Sequence, residues 1–541
     1  MLAGLLRWID VNVLALGREL RLSYLPPLMV YLAFGFQGVT SIVGIFFVKE
    51  YLDLSAAFLA ALGFWAALPF VLKMPIGHVV DLIWRWKSWL VFLGAGLIAA
   101  SYLIMVGLLT DRAAMSAVMS AEAWFVLSTL LSPAGFVVQD VVADAMTVEA
   151  VPRVDARGRP LDPDARKLMN TTMQTLGRMA VIGGFAVVAA VNLYVFADVE
   201  GLAPAEKADV YRRIYLIAMG IPLISIAGVV FAFFLRHRDA RRLAAQGVNP
   251  AEARRLLSQH DEPTAANWWI LGGSLVFVVF TIGMGFSRVP YNQEIIFAGS
   301  FAIIAYLIAK LTRELEPAAR ATLIGTLAVV FAFRAAPLPG ESVNWWEIDV
   351  LKFDGQFLAV LELLTSVMTL VGMFIFRRFM AVNSIAYVVG FLAILGAVLS
   401  LPILGLYYGL HEWTAAATGG MVDARFIAFA NTALASPLGQ VSMIPVLAWI
   451  ANSAPANLKA TYFAVMASFT NLALSAAQLG TKYLNQVFVV EREVRDAATG
   501  AVKVAADYSQ LGDLLLTVIV LGLLIPFTAI LVVRTLGLKW A

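Results

Sequence analysis

Val138-Gln139-Asp140-Val141-Val142-Ala143-Asp144-Ala145 carries two carboxylates near the end of an apolar run that begins around Ala123. On a helix, positions four apart lie on one face, so Asp140 and Asp144 point the same way, and Ala143 keeps their surroundings small. A charge at bilayer depth costs about 2.5–3.5 kcal/mol on insertion scales, so two on one face must look toward protein or water rather than lipid. The expected partners are Lys73, in the run Leu54–Val80, and Arg178, in the run Met169–Ala197. Each lies roughly 10–15 Å from the cytoplasmic end of its run at about 1.5 Å per residue, a depth similar to that of the carboxylates. Two cations and two anions then balance in one buried cluster.

Composition agrees with a membrane setting. The chain has 541 residues, 61% hydrophobic and 14% charged, with a mean hydropathy of +0.83, which marks an integral membrane protein in contact with a lipid bilayer. A formal net charge of +3 is too small at this length to argue for nucleic acid, and the basic residues sit in short loops where topology explains them. With no cysteine there are no disulfides, thiolate nucleophiles or thiolate metal sites. His78, His237, His260 and His411 are scattered without metal-ligand spacing. Neither a Gly-x-x-x-x-Gly-Lys-Ser/Thr loop nor a hydrolase signature occurs, so neither an enzyme nor a cofactor is expected.

Spanning-length runs fall near Leu28–Val48, Leu54–Val80, Ser88–Leu109, Ala123–Val148, Met169–Ala197 and Ile214–Leu235. Six more follow near Ala321–Pro337, Gly355–Phe376, Ser384–Leu410, Arg425–Ala451, Thr461–Val489 and Leu511–Val533. Between the two sets lie a polar segment, 236–267, and a hairpin of two further runs, 268–310, which reads as a passive spacer that stabilises the join between the halves, with a lipid-facing role. Residues 1–27 precede the first run; Arg7, Asp10, Arg18, Glu19 and Arg21 rule out a cleavable signal, and Leu2–Leu22 reads as an amphipathic helix on the cytoplasmic face. Excess Lys and Arg in alternate loops puts both termini in the cytoplasm, in an inner membrane, with a monomer expected. The stretch Pro337–Asp354, with Trp345 and Trp346, reads as an interfacial loop.

Ser132-Pro133-Ala134-Gly135 in the fourth run recurs as Ser436-Pro437-Leu438-Gly439 in the fourth run of the second set. On that alignment Asp140 corresponds to Ile444 and Asp144 to Ala448, so the carboxylates belong to one half only. The organisation resembles the major facilitator superfamily. It implies an all-α membrane protein with the major facilitator fold, two six-helix bundles (28–235 and 311–541) plus a two-helix insertion, about 14 transmembrane helices in total.

The second run ends Gly77-His78-Val79-Val80-Asp81, followed by Arg85 and Lys87, and resembles the gating loop of that superfamily. There the Gly permits close helix approach and the Asp holds the cytoplasmic gate through charge pairs and helix-end dipoles. Leu82 stands where that pattern has a basic residue. Solvated loop charges are the alternative for Asp81, Arg85 and Lys87.

Read together, four stretches narrow the likeness: Phe47–Ser55, Leu68–Lys73, Gln139–Ala145 and Lys459–Ser468 resemble the folate–biopterin transporter family. The related muropeptide permeases share the Gln-Asp…Asp-Ala element and a basic residue after Leu-Gly, here Leu176-Gly177-Arg178. For Asp140 and Asp144 the resemblance implies a transport role in one of two forms. A carboxylate beside a like charge can carry a proton from one side to the other; or it accepts paired hydrogen bonds from a pterin edge while Arg178 or Lys73 holds an anionic tail. A closed salt-bridge cluster that fixes helix packing is the other reading of the same residues. Gln37 and Gln174 are weaker pocket candidates, because the first and fifth helices line the cavity in this fold. The function expected is a secondary active transporter, proton-coupled and working by alternating access, for a folate- or pterin-like small molecule. The alternatives are a permease for muropeptides or other anionic metabolites, and a non-transporting membrane assembly factor.

Overall fold

In the computed structural model, which describes residues 17, 20–40, 70, 73–152, 161–195, 204–249, 266–287, 289–313, 316–453, 459–491, 494–495 and 502–540, spanning helices start where the local chemistry dictates. Ser120 Oγ accepts from the Ala123 N–H, Asp354 Oδ1 from Phe357 and Asp423 Oδ1 from Phe426, each satisfying a donor that a helix start leaves open. Pro317 occupies a first-turn position, where its missing N–H costs nothing.

The longer helices are α1 (Leu25–Gly35), α2 (Lys73–Leu82), α3 (Ser88–Thr110), α4 (Ala121–Ala150), α5 (Pro163–Val195), α6 (Pro204–Ala218), α7 (Gly220–Ala245) and α8 (Trp268–Phe286). They continue as α9 (Asn292–Leu311), α10 (Pro317–Arg334), α11 (Gly355–Ile375), α12 (Ile385–Tyr407), α13 (Ala424–Ala435), α14 (Met443–Ser453), α15 (Lys459–Val487) and α16 (Leu511–Thr535). Among the described residues twelve helical stretches are long and apolar enough to cross a membrane. The run Leu54–Val80 is described only at Phe70 and from Lys73 onward, and the expected N-terminal amphipathic helix falls almost entirely outside the described residues.

Two units divide the chain: residues 1–282 with 447–468, and residues 283–446 with 469–541. In the first, α3 and α4 touch through their backbones. A Cβ on Gly94 would lie 2.6 Å from the Gly135 carbonyl oxygen and 2.7 Å from Gln139 Cγ, so only glycine permits the approach. One stretch further along the same pair, Ser101 Oγ donates to the Ser128 carbonyl and Ser128 Oγ to that of Ser101. Two hydroxyls in an apolar layer are thereby satisfied within the pair.

Several details differ from the sequence reading. The polar segment after the sixth run begins as helix, because α7 carries its Arg- and Ala-rich end through to Ala245, and those residues favour helix. Trp346 sits in a short helix, Glu341–Asp349, and is 4% exposed among Leu406, Leu511, Leu514 and Leu515, so it is a core residue rather than part of an interfacial loop. Between α15 and α16 a small antiparallel pair, β1 (Val494–Arg495) and β2 (Val502–Val504), stands where no strand was expected. The inserted hairpin has a buried side as well as an exposed one. One side of α8 exposes Trp268, Leu275 and Val279, yet Ile270, Ser274 and Phe277 are buried. In the second unit α9 is fastened at Glu294, whose Oε1 accepts from Lys482 Nζ and Tyr483 Oη at 2.7 Å each, and its Phe301 ring packs on Phe331 and Phe469.

The recurring Ser-Pro motif also behaves differently in the two places. Pro133 lies within the unbroken α4. At Pro437 the helix ends: Ser436–Leu438 form a 3-10 turn and helix resumes at Met443. There the Ser436 carbonyl accepts from Gly439 N–H and from Thr369 Oγ1 of α11, so a neighbouring side chain takes the place of the next helical N–H.

Gly94→Val is expected to lower unfolding stability in detergent by about 1–3 kcal/mol, the usual cost of overpacking. Gly96→Val, on the same helix with nothing within 4 Å of its Cβ position, is the control and should leave the thermal midpoint unchanged.

Candidate functional site

Four helices of the first unit converge on the two carboxylates. Lys73 Nζ, at the start of α2, lies 2.6 Å from Asp140 Oδ2 and 2.8 Å from Asp144 Oδ2. From α1, Tyr31 Oη donates to Asp144 Oδ1 at 2.6 Å. Arg178 on α5 is half-buried, within electrostatic range of Asp140 and Tyr31. Side-chain exposures of 9% for Lys73, 17% for Asp140 and 11% for Asp144 keep the charges inside the helix packing and off the lipid face. Counted as ions, Lys73 and Arg178 offset Asp140 and Asp144, so the group is formally neutral.

Local sequence explains the aim of α4. Gln139, buried on another face of that helix, donates through Nε2 to the Val91 carbonyl of α3 and accepts from Ser225 Oγ of α7. These two bonds set the rotation of α4 and so turn Asp140 and Asp144 toward α2. Below them Thr147 Oγ1 donates to the Asp144 carbonyl and accepts from Gln174 Nε2. Gln174 is therefore a helix-to-helix tie one turn from the carboxylates. Gln37 lies half-buried in the 3-10 turn Phe36–Thr40 that follows α1, with no hydrogen bond among the described residues.

A second polar centre surrounds the far end of α2. Asp81 is buried, and its Oδ2 accepts from both the backbone N–H (2.7 Å) and Oγ1 (2.6 Å) of Thr461 in the first turn of α15. It thus caps a helix whose own sequence lies 380 positions away. His78 joins the same network. Its Nε2 accepts from the Asn267 N–H, which leaves Nδ1 to donate to Thr461 Oγ1 at 3.0 Å. Gly77 is buried in α2, whereas Arg85 is exposed and makes no ion pair among the described residues. Nearby, Lys87 rather than Arg85 carries the ionic contact: its Nζ is 3.0 Å from Glu149 Oε2 and 3.9 Å from the centre of the Trp84 ring. Burial pushes the Lys87 ammonium below its ordinary range, and Glu149 draws it back up.

The structure brings Asp140, Asp144 and Lys73, all named in the sequence reading, within ion-pair distance. That reading does not include Tyr31, Thr461 or Glu149 among its site residues. Tyr31 had only a weak signal, as one of three hydroxyls with Thr40 and Ser41 in an apolar first run; Thr461 lay within the stretch Lys459–Ser468, but nothing there pointed to a partner remote in sequence. Among the described residues no group of three His, Asp or Glu side chains is placed to hold a metal ion.

The BT1 family profile matches residues 212–536. The chain belongs to the BT1 family. A curated relative, the folate-biopterin transporter of Synechocystis sp., is 26% identical over 144 residues, 27% of this chain and 28% of that protein. The resemblance read from the four sequence stretches is borne out at the level of the family. Solved structures match over almost the whole BT1 chain: the proton:xylose symporter XylE with TM-score 0.53, 13% identity and 94% of each chain covered. The human organic anion transporter MFSD10 gives 0.51, 12% identity and 94% and 98% coverage. The E. coli fucose:proton symporter FucP gives 0.50, 10% identity and 95% and 98% coverage. At these identities the likeness is one of fold, the major facilitator fold, and this BT1 protein has it, with helices long and apolar enough to cross a membrane. The family match begins after α5, so Lys73, Asp140, Asp144 and Arg178 are judged on their geometry.

Lys73→Met removes one partner of a buried pair and leaves two carboxylates facing each other, which is expected to cost about 3–5 kcal/mol of stability. Adding Asp140→Asn to Lys73→Met should recover much of the loss. Denaturant unfolding in micelles measures both; a lysine variant as stable as wild type would show that Lys73 does not hold the carboxylates.

Proposed function

We propose that this BT1 protein is a secondary carrier for an anionic, folate- or pterin-like small molecule, driven by the proton gradient and working by alternating access. One observation carries the reading: Lys73 is shared between two carboxylates in a buried, formally neutral group. Such a group is costly to keep within a membrane, and it changes net charge when one proton arrives. With Asp140 protonated, Lys73 and Arg178 outnumber Asp144 by one, and the site gains affinity for one negative charge on a substrate. A proton and an anion then enter together and leave together, which is symport. The name of the Synechocystis relative supports folate and biopterin as the first compounds to test.

In this cycle Asp81, seated against the first turn of α15 beside Gly77, is the cytoplasmic latch. The pair that holds α15 breaks when the cytoplasmic side opens. Arg85, exposed and unpaired among the described residues, contributes to the charge of that face rather than to the latch itself. Both termini are assigned to the cytoplasm and the carrier to the inner membrane, functioning as a monomer.

Uptake of labelled folate and biopterin into proteoliposomes, with and without an imposed pH gradient, tests the reading. Wild type should accumulate label only with the gradient, and Asp140→Asn should fall to the level seen without one. Normal accumulation by Asp140→Asn would remove the coupling role. No uptake of either compound by folded protein would redirect the search to muropeptides and other anionic metabolites.

A further inference from the structure

We propose that Tyr31 assigns the proton: by donating to Asp144 it keeps that carboxylate ionised and makes Asp140 the group that takes up and releases a proton. The inference rests on the proton-coupled reading above and names which of two equivalent-looking side chains does the work.

The two aspartates differ in their partners. Both oxygens of Asp144 are engaged, Oδ1 by Tyr31 Oη at 2.6 Å and Oδ2 by Lys73 Nζ at 2.8 Å. Asp140 shares the lysine through Oδ2 at 2.6 Å, and its Oδ1 takes no hydrogen bond among the described residues. Its side chain is also the more exposed of the two, 17% against 11%. A carboxylate that accepts a short hydrogen bond on one oxygen and faces an ammonium on the other is held as an anion, because protonation would forfeit one of those contacts. A proton arriving at the pair finds Asp140 Oδ1 open and Asp144 filled. It forms an O–H bond there, cancels one negative charge, and leaves Lys73 paired to Asp144.

Three charged or titratable groups among the described residues face this pair. They are Tyr31 from α1, Lys73 from α2 and Arg178 from α5. Lys73 reaches both carboxylates, at 2.6 and 2.8 Å, whereas the Tyr31 hydroxyl reaches Asp144 alone. The ring is seated for this task by Gly177 of α5, where a Cβ would lie 2.9 Å from Tyr31 Cε2. The Leu176-Gly177-Arg178 element thereby places a cation beside the cluster and makes room for the tyrosine that orders it. Tyr31 is a positioning residue: it moves no proton itself.

Infrared difference spectra of the purified carrier across an acid titration, recorded without substrate, read the carbonyl stretch of any carboxylic acid that forms. The expected result is an acid band that Asp140→Asn removes and Asp144→Asn leaves. In Tyr31→Phe, which keeps the ring and deletes only the hydroxyl, Asp144 becomes available. The band should then survive Asp140→Asn, and the midpoint should move toward higher pH by about one unit, a tenfold change in proton affinity. A band removed by Asp144→Asn instead, or a Tyr31→Phe titration identical to wild type, would overturn the proposal. Because no transport is measured, a band with the expected pattern in a protein that takes up neither folate nor biopterin would leave this assignment standing and remove only the substrate reading.

Discussion

One ammonium group between two carboxylates is the constraint on which the first unit depends. Neither Asp140 nor Asp144 tolerates lipid, and neither tolerates the other without a cation between them. Lys73 supplies that cation from α2, at 2.6 and 2.8 Å. Satisfying it requires α1, α2, α4 and α5 to come together at one depth. The rest of the packing in that region serves the requirement: Gly94 and Gly135 let α3 lie directly on α4, and Gln139 uses that closeness to reach the Val91 carbonyl.

The same helix therefore has two polar duties on different faces. Gln139 fixes its rotation through neutral hydrogen bonds to α3 and α7, and Asp140 and Asp144 present charge toward α1 and α2. A neutral amide is suited to the first duty because it satisfies a donor and an acceptor without adding charge to an apolar layer. Charge is suited to the second because only a change in ionisation alters what the site can bind. Tyr31 links the duties: a hydroxyl from α1 makes two identical side chains chemically unequal.

At the other end of α2 the fold adds helix-end chemistry. Asp81 meets the open N–H groups at the start of α15, and His78 and Asn267 extend the network to the residue that precedes the inserted hairpin. Within the second unit, Glu294 of α9 is held by Lys482 and Tyr483.

Much of this was legible from the residues in order. Apolar runs long enough to span a bilayer, the i, i+4 spacing of Asp140 and Asp144 and the depth of Lys73 follow from helix geometry and the cost of charge in hydrocarbon, which act locally and need no fold. They determined that this is an all-α membrane protein with one charged cluster in its first half. Tertiary structure decided the rest. That Tyr31 reaches Asp144 across 113 positions, that Thr461 meets Asp81, and that Trp346 is buried are all matters of which helices become neighbours. A polar side chain in an apolar run needs a partner, but the run does not name it; the partner is chosen by the packing of helices far apart in the chain.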